Sequence, residues 1–238
     1  MKTVALITAT LITAGCATTT TGDPQPATPG AADPSSSTVA SAPTGPPIVP
    51  AASIKGKLLK RSELGDIVGD TNLVAVADYT DPNRKANAFD PMDCGYRFLA
   101  GSSVGYTARG RLAMYGDGNR GARGTLATQV IAAFPDGEGS QRFMETTTAG
   151  WLRCPDDAPF TVTDPGATAT VQTWAADEPL ITPTRIATTL TRRGGSTRTC
   201  SHVVAVVFNV AVEGAACGDG DTVGQAGAIA DRILGELP

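Results

Sequence analysis

The feature that most restricts the fold of this 238-residue chain is an apolar run bounded by two cysteines, CSHVVAVVFNVAVEGAAC at residues 200–217. A single straight strand would hold the cysteines roughly 55 Å apart, too far for a disulfide. A two-residue turn at Phe208-Asn209 brings them face to face, because Cys200 and Cys217 are equidistant from it. Counting outward from the turn makes them a non-hydrogen-bonded pair, whose Cα atoms approach to about 4.5 Å. Asn209 tolerates the left-handed conformation of a tight turn. The segment therefore predicts a hairpin closed by a Cys200–Cys217 disulfide.

Residues 1–16, MKTVALITATLITAGC, have the pattern of an export signal. A lysine precedes an apolar stretch at residues 4–12 that is too short to span a bilayer as a helix. Cys16 follows a small-residue pair as in a bacterial lipobox, although Thr13 stands where Leu, Val or Ile is usual. We predict a lipoprotein signal peptide, with diacylglyceryl and acyl chains on Cys16 anchoring the protein to the extracytoplasmic face of the cell membrane. The alternative is an ordinary secreted protein, which would carry a spare reactive thiol.

Residues 17–50 are predicted to be a disordered tether rich in Thr, Pro, Ser and Ala. The stretch has too few bulky apolar side chains to offset the entropy of ordering the chain. As a coil it would span roughly 30 Å. Its composition also permits O-glycosylation. Residues 51–238 then form one domain of ordinary size.

Besides Cys16 the chain has four cysteines, Cys94, Cys154, Cys200 and Cys217, and four cysteines in an exported domain indicate two disulfides. With Cys200 and Cys217 paired by the hairpin, elimination gives Cys94–Cys154. The alternative, a zinc site made of four thiolates, lacks the paired CxxC spacing of such sites. We predict no metal site.

The periodicity of the remaining sequence predicts an α+β fold, with helices packed against a twisted antiparallel sheet. Helices are expected at 62–68, with Ser62 as N-cap and Gly69 as its end, at 140–153, and at 221–237. Strands are expected at 73–76, 95–100, 106–114, 125–134, 160–162, 168–175 and 185–191, besides the hairpin.

Four motifs recur together in one known family: LLKRSELGDIVG, the W-x-x-C of Trp151–Cys154, the cysteine hairpin and the terminal QAGAIADRILGELP. Over residues 55–238 the chain resembles the PknH-like extracellular sensor domain family of mycobacteria and their relatives, which includes lipoproteins. The resemblance implies a disulfide-stapled α+β domain with an open cleft for an unidentified ligand, and the family's pairing of adjacent cysteines agrees with the hairpin argument. The VAIK, HRD and DFG motifs of a kinase do not occur in this sequence. A signalling role would therefore need a partner.

Composition and motifs weigh against several other functions. The 19 basic and 23 acidic residues disfavour a nucleic-acid partner. His202 is the one histidine, which excludes HExxH zinc hydrolysis, and no GxSxG elbow accompanies it. On the disulfide face of the hairpin, a structural hydrogen bond is its expected role. We predict no enzymatic activity and no cofactor.

Two glycine-containing segments resemble ligand-binding loops, one for dinucleotides and one for calcium, but neither has the surrounding sequence that such a loop requires. Gly116–Gly121 matches GxGxxG, but the following TLATQVIAAF is typical of a strand, so we expect a glycine-rich hairpin loop. Asp219 and Asp221 lack the twelve-residue pattern of a calcium loop, and Asp221 is expected to cap the last helix.

The ligand-contact candidates are Tyr96, Arg97, Arg142, Trp151 and His202. Trp151 fits a core position, and Arg97 and Arg142 fit solvated charges. They remain candidates because an acidic domain with few aromatic residues has few groups that can hold an anion. The leading hypothesis is a lipid-anchored, non-catalytic sensor that binds a small molecule or cell-wall component in a cleft. The alternative is a lipoprotein that docks on a membrane kinase or envelope enzyme.

Overall fold

The computed structural model describes residues 45–83, 85–106, 110–164 and 170–238. The predicted signal peptide, Cys16 and most of the predicted tether lie outside the described residues. Thr44–Pro238 forms one compact unit that contains both disulfides and three apolar clusters, so this segment has a complete core of its own.

The packed domain begins before residue 51, the start expected from the sequence. Val49 is buried, and its backbone N–H donates to Oδ1 of Asn209 at 2.7 Å. The amide of Asn209 donates in return to the Val49 carbonyl at 3.0 Å. The last residues of the predicted tether therefore belong to the fold.

The described residues form ten strands, five α-helices and two 3-10 helices, the latter at Ile54–Lys57 and Lys85–Ala88. The α-helices are α1 (Arg61–Val68), α2 (Asp93–Phe98), α3 (Ser103–Tyr106), α4 (Gly137–Trp151) and α5 (Thr222–Gly235). The strands are β1 (Val74–Tyr79), β2 (Phe89–Asp90), β3 (Ala113–Arg120), β4 (Leu126–Ala133), β5 (Pro159–Asp164), β6 (Thr170–Ala176), β7 (Leu180–Thr182), β8 (Arg185–Arg192), β9 (Thr199–Val207) and β10 (Val210–Gly218).

The strands form one antiparallel sheet in the order β1-β3-β4-β10-β9-β8-β6-β5-β2, with β7 paired to β8. The predicted α+β class is confirmed. The hairpin β9–β10 lies at its centre, and its register places Cys217 opposite Cys200. Their Cα atoms are 4.0 Å apart and their sulfurs are bonded. The second disulfide joins Cys94 to Cys154.

The hairpin turn differs from the expectation in one respect. The positive φ, 51°, falls on Phe208, the first turn residue, and not on Asn209. Asn209 instead uses its buried side chain to hold Val49 and to donate to the Phe134 carbonyl at 2.8 Å. Its polar side chain serves long-range hydrogen bonding, which local turn statistics do not reveal.

Helices cover both faces of the central strands. On β10, Val210 and Val212 point to the face covered by α5 and α1, where they join the apolar side of α5. The alternate residue Ala211 points to the other face, where α3 and α4 contribute Tyr106 and Phe143. The buried residues of α4 include all four that the sequence placed on one side: Phe143, Met144, Thr147 and Trp151.

Side-chain caps fix the starts of the two long helices. Asp136 accepts from the Gly139 N–H at 2.7 Å, and Asp221 accepts from the Gly224 N–H at 2.9 Å, as expected for Asp221. The first helix begins after Lys60, so Ser62 is not its N-cap; Lys60 N–H donates to Glu63 at 2.7 Å.

Residues 95–100 were expected to form a strand, but most of them belong to α2. Cys94 and Arg97 are both buried and three residues apart. In a strand that spacing points the two side chains to opposite faces, whereas in a helix it places them on one side. The disulfide and the buried guanidinium together therefore require the helix.

The strand expected at 106–114 begins later, and the glycine motif is not a loop. Tyr106 belongs to α3, and β3 runs from Ala113 through the glycines to Arg120. A Cβ on Gly116 would lie 3.0 Å from the Val130 Cα on the adjacent strand, so this glycine permits a close backbone approach. The turn itself follows β3, with Gly124 at φ +81°.

None of the helices in the described part of the chain has the length and hydropathy that a membrane crossing requires.

Candidate functional site

A cleft of about 630 Å³ opens at the end of the sheet where β3 turns into β4 and β8 leads into β9. The register brings these connections together, because Leu126 and Cys200 both lie opposite Cys217. Strands β5 and β6, helix α2 and the Lys85–Ala88 helix complete the lining. An open cleft is what the family resemblance implied.

Three aromatic side chains, Phe89, Phe98 and Trp174, are among the apolar residues that line the cleft. The ring centroid of Phe98 lies 5.2 Å from that of Trp174, edge to face, and 5.2 Å from that of Phe89. These rings pack in or against the apolar cluster that contains both disulfides, and Cys200 itself lines the cleft. The disulfides therefore fix the positions of the strands and helix that carry the rings.

Four cations surround the same cleft: Lys85, Arg120, Arg192 and Arg198. Among the described residues, none of them has a carboxylate within 4 Å. Arg198 donates to the Gly124 carbonyl across the opening. This concentration of unpaired positive charge contrasts with the net charge of −4 of the whole chain.

The pKa of Arg198 is lowered from its usual value, first by burial. The charges of Arg120 and Arg192 lower this pKa further, while the Asp219 carboxylate acts in the opposite direction. Arg198 is therefore close enough to Arg120 and to Arg192 to be repelled by both, and close enough to Asp219 to be attracted by it. An anion bound beside Arg198 would offset its repulsion by the other two arginines.

Arg97 lies in the core rather than in solvent, where the sequence placed it. Its side chain is 0% exposed and donates to Asp156 at 2.8 Å, to the Cys154 carbonyl at 3.0 Å and to Thr188 at 3.2 Å. A further bond reaches the Asp177 carbonyl. Cys154 and Asp156 precede β5, and Asp177 follows β6, so the guanidinium joins α2 to the segments around β5 and β6.

Trp151 and His202 are also buried, with their ring centroids 4.9 Å apart. The His202 Nε2 lies 2.8 Å from Oε2 of Glu213, and Nδ1 lies 3.1 Å from the Arg97 carbonyl. Both ring nitrogens thus face oxygen acceptors. The hydrogen bonding of His202 agrees with the structural role expected from the sequence.

Glu213 is the centre of this buried network. Besides His202, it accepts from the Gly101 N–H at 2.7 Å and from the Tyr106 hydroxyl. Burial raises the pKa of Tyr106 well above its usual value of 10, and the Glu213 charge and hydrogen bond raise it further. The network links α3 to the central hairpin.

The last two candidates lie nearer the surface. Arg142 is exposed on α4 and pairs with Glu138 at 3.2 Å, as expected for a solvated charge. Tyr96 is half-buried, and its carbonyl accepts from Ser102 at 3.3 Å. None of the five sequence candidates lines the cleft.

The residues that do line the cleft were not among the candidates expected from the sequence. Arg120 belongs to the run NRGARG at residues 119–124, while Arg192 and Arg198 belong to RRGGSTR at 192–198. Two basic, glycine-containing runs in an acidic chain were a usable signal. What the sequence did not reveal is that the hairpin register brings them together.

No group of three or more potential metal ligands occurs in the part of the chain that the structure describes.

Comparisons with known proteins agree with the fold. The profile of the PknH-like extracellular domain family matches residues 49–236. A crystal structure of the extracellular domain of PknH from Mycobacterium tuberculosis aligns with a TM-score of 0.69 at 22% identity, covering 81% of this chain and 98% of that one. No curated protein matches significantly.

Proposed function

Because this chain belongs to the PknH-like extracellular domain family, we propose that it is a non-catalytic extracytoplasmic module that binds a small molecule in the cleft beside the two disulfides. The observation that carries the proposal is the cleft of about 630 Å³ with an aromatic floor and four cations that form no salt bridge within 4 Å among the described residues. Ligand sites are commonly mostly apolar clefts of this size with a few convergent polar groups.

The composition of the cleft also favours binding over a structural role. Like charges that lie together without partners lower the stability of the folded state, so a domain shaped for stability alone would pair them. The buried cation Arg97 shows the contrast, since each of its three guanidinium nitrogens has a protein acceptor. The cleft arginines keep donors available to a ligand.

Native mass spectrometry of residues 44–238, purified without reduction from an actinobacterial host, tests this function. We expect a discrete adduct on the oxidised domain. Gln172 lines the cleft, and Gln172→Trp should reduce the adduct by obstructing it. Thr173→Trp is the matched control, because Thr173 is exposed on the opposite face of β6 and does not line the cleft. An oxidised wild-type domain without any adduct, or equal adducts on both variants, would contradict the proposal.

We also propose that Cys16 carries the lipid that anchors the protein outside the cytoplasmic membrane. The support is the apolar stretch at residues 4–12 and the small-residue pair before Cys16. Mass analysis of the N-terminal peptide from the full chain should show cleavage before Cys16 and an added diacylglyceryl mass. Cys16→Ser should abolish both. A wild-type chain with a free Cys16 thiol in the culture medium would refute the anchor.

A second candidate function is docking on a membrane kinase or envelope enzyme. The exposed apolar side chains Leu152, Leu180 and Ile181 favour it, and Leu180 is 74% exposed. Crosslinking in intact membranes separates the two functions. One stoichiometric protein partner would favour docking, and its absence would favour small-molecule binding.

A further inference from the structure

We propose that the ligand of this cleft is an amphiphilic anion, in which a phosphate-like group adjoins an aliphatic or aromatic body. This inference rests on the proposed binding function and adds the chemical class of the ligand. It comes from the way the cleft places guanidinium groups directly beside aromatic rings.

The anionic part of the ligand is inferred from the three arginines. Arg120 ends β3, Arg192 ends β8 and Arg198 precedes β9, so they converge from two connections at one end of the sheet. Guanidinium groups bind phosphate and carboxylate through paired N–H donors, with a geometry that a single ammonium does not offer. Three of them without a described carboxylate within 4 Å form a site with excess positive charge.

The apolar part is inferred from the rings beside them. Trp174 on β6 pairs directly with Arg192 on β8, and residues opposite one another in an antiparallel pair share a face of the sheet. Phe98 packs against Trp174 on the side of α2. A molecule bound in the cleft would therefore contact the Arg192 guanidinium and the Trp174 indole side by side, because the two residues lie directly opposite each other on adjacent strands.

Isothermal titration of residues 44–238 with four probes tests the ligand class: octyl phosphate, octanol, inorganic phosphate and octyltrimethylammonium. Octyl phosphate combines both parts, so we expect it to bind at least about tenfold more tightly than any other probe, as charged hydrogen bonds contribute on this scale. The affinity for octyl phosphate should fall as salt is raised.

Variants then assign the binding to the cleft. Arg192→Gln should weaken octyl phosphate about tenfold and leave octanol unchanged. Arg193→Gln is the matched control, because Arg193 is the exposed neighbour that does not line the cleft. Equal effects of the two variants would overturn the inference.

Other outcomes separate this inference from the proposed function. If octanol or octyltrimethylammonium binds as tightly as octyl phosphate, the anionic class is wrong while the cleft remains a binding site. If no probe binds, the inferred ligand class is wrong, whereas the binding function fails only if the oxidised domain also carries no adduct in native mass spectrometry. Vesicles containing phosphatidic acid distinguish the sources: co-sedimentation of this unlipidated segment indicates a membrane lipid, and octyl phosphate binding without co-sedimentation indicates a soluble molecule. Both of these results support the class.

Discussion

The substitution Gly214→Ala should loosen the attachment of the last helix to the sheet. Gly214 lies in the middle of β10 on the face that α5 covers. A Cβ there would lie 3.0 Å from the Ala230 backbone nitrogen and 3.1 Å from the Ile229 Cβ, and closer still to the Ala226 carbonyl oxygen. Two of these three atoms belong to the helix backbone, so a side-chain rotation cannot remove the clash.

The expected loss in the free energy of unfolding depends on how far the α5 backbone can move away from the new Cβ. Overpacking a well-packed core costs about 1–3 kcal/mol, and the upper part of that range applies where backbone has to move. The unfolded chain loses some conformational freedom with alanine, which offsets about 0.5 kcal/mol. We expect the free energy of unfolding to fall by about 2.5 kcal/mol, or Tm by roughly 5–10 °C for a domain of this size.

Urea denaturation without reductant, followed by circular dichroism, measures the change. Gly218→Ala is the matched control on the same strand, because a Cβ at Gly218 meets nothing within 4 Å. It should change the free energy of unfolding by no more than about 0.5 kcal/mol. If Gly214→Ala and Gly218→Ala have equal stability, the close approach of helix and strand does not limit the packing of α5, and the reasoning is refuted.

Three further predictions concern stability. Replacing Cys200 and Cys217 together by serine opens a loop with a sequence separation of 17 and should cost about 3 kcal/mol in the chain-entropy description, measured by urea denaturation; an unchanged midpoint would contradict it. Arg97→Met removes the donor to two backbone carbonyls and should lower the free energy of unfolding by about 3 kcal/mol, measured by urea denaturation. The folded variant should bind octyl phosphate with unchanged affinity. A loss of that affinity in the folded variant would show that Arg97 belongs to the binding site. Since the pKa of Tyr106 is raised, the unfolded chain loses the phenolic proton at lower pH than the folded chain, so the free energy of unfolding should fall above pH 10 by about 1.4 kcal/mol per pH unit. Tyr106→Phe should remove that part of the pH dependence. Equal pH dependence of the free energy of unfolding in the variant and the wild type would refute this prediction.

The sequence predicted those elements whose information is local. The hairpin followed from the equal distances of Cys200 and Cys217 from its turn, and the structure has that register and that disulfide. The cap at Asp221 and the apolar side of α4 followed from residue types at helical spacing. In each case neighbours within a few residues or across one turn determine the geometry.

Local patterns failed where distant contacts decide the conformation. Residues 95–100 were expected to form a strand, yet the disulfide of Cys94 and the acceptors around Arg97 hold most of them in a helix. The GxGxxG match was expected in a loop, yet Gly116 lies within β3. A glycine is needed at this strand position because the adjacent strand approaches its backbone closely. Arg97 was expected in solvent because arginines usually are there, and its four buried or half-buried acceptors come from residues far along the chain.

The sequence by itself thus determined the family, the α+β class and the disulfide framework, because these depend on spacing along the chain. Only the tertiary structure decided which side chains meet in the cleft. Arg120 lies at the β3–β4 connection, Arg192 and Arg198 lie at the β8–β9 connection, and Trp174 lies on β6. The order of strands in the sheet is what brings these segments together. The physical reason is that a ligand responds to charge and apolar surface within a few ångströms, and that proximity is set by strand pairing between distant segments.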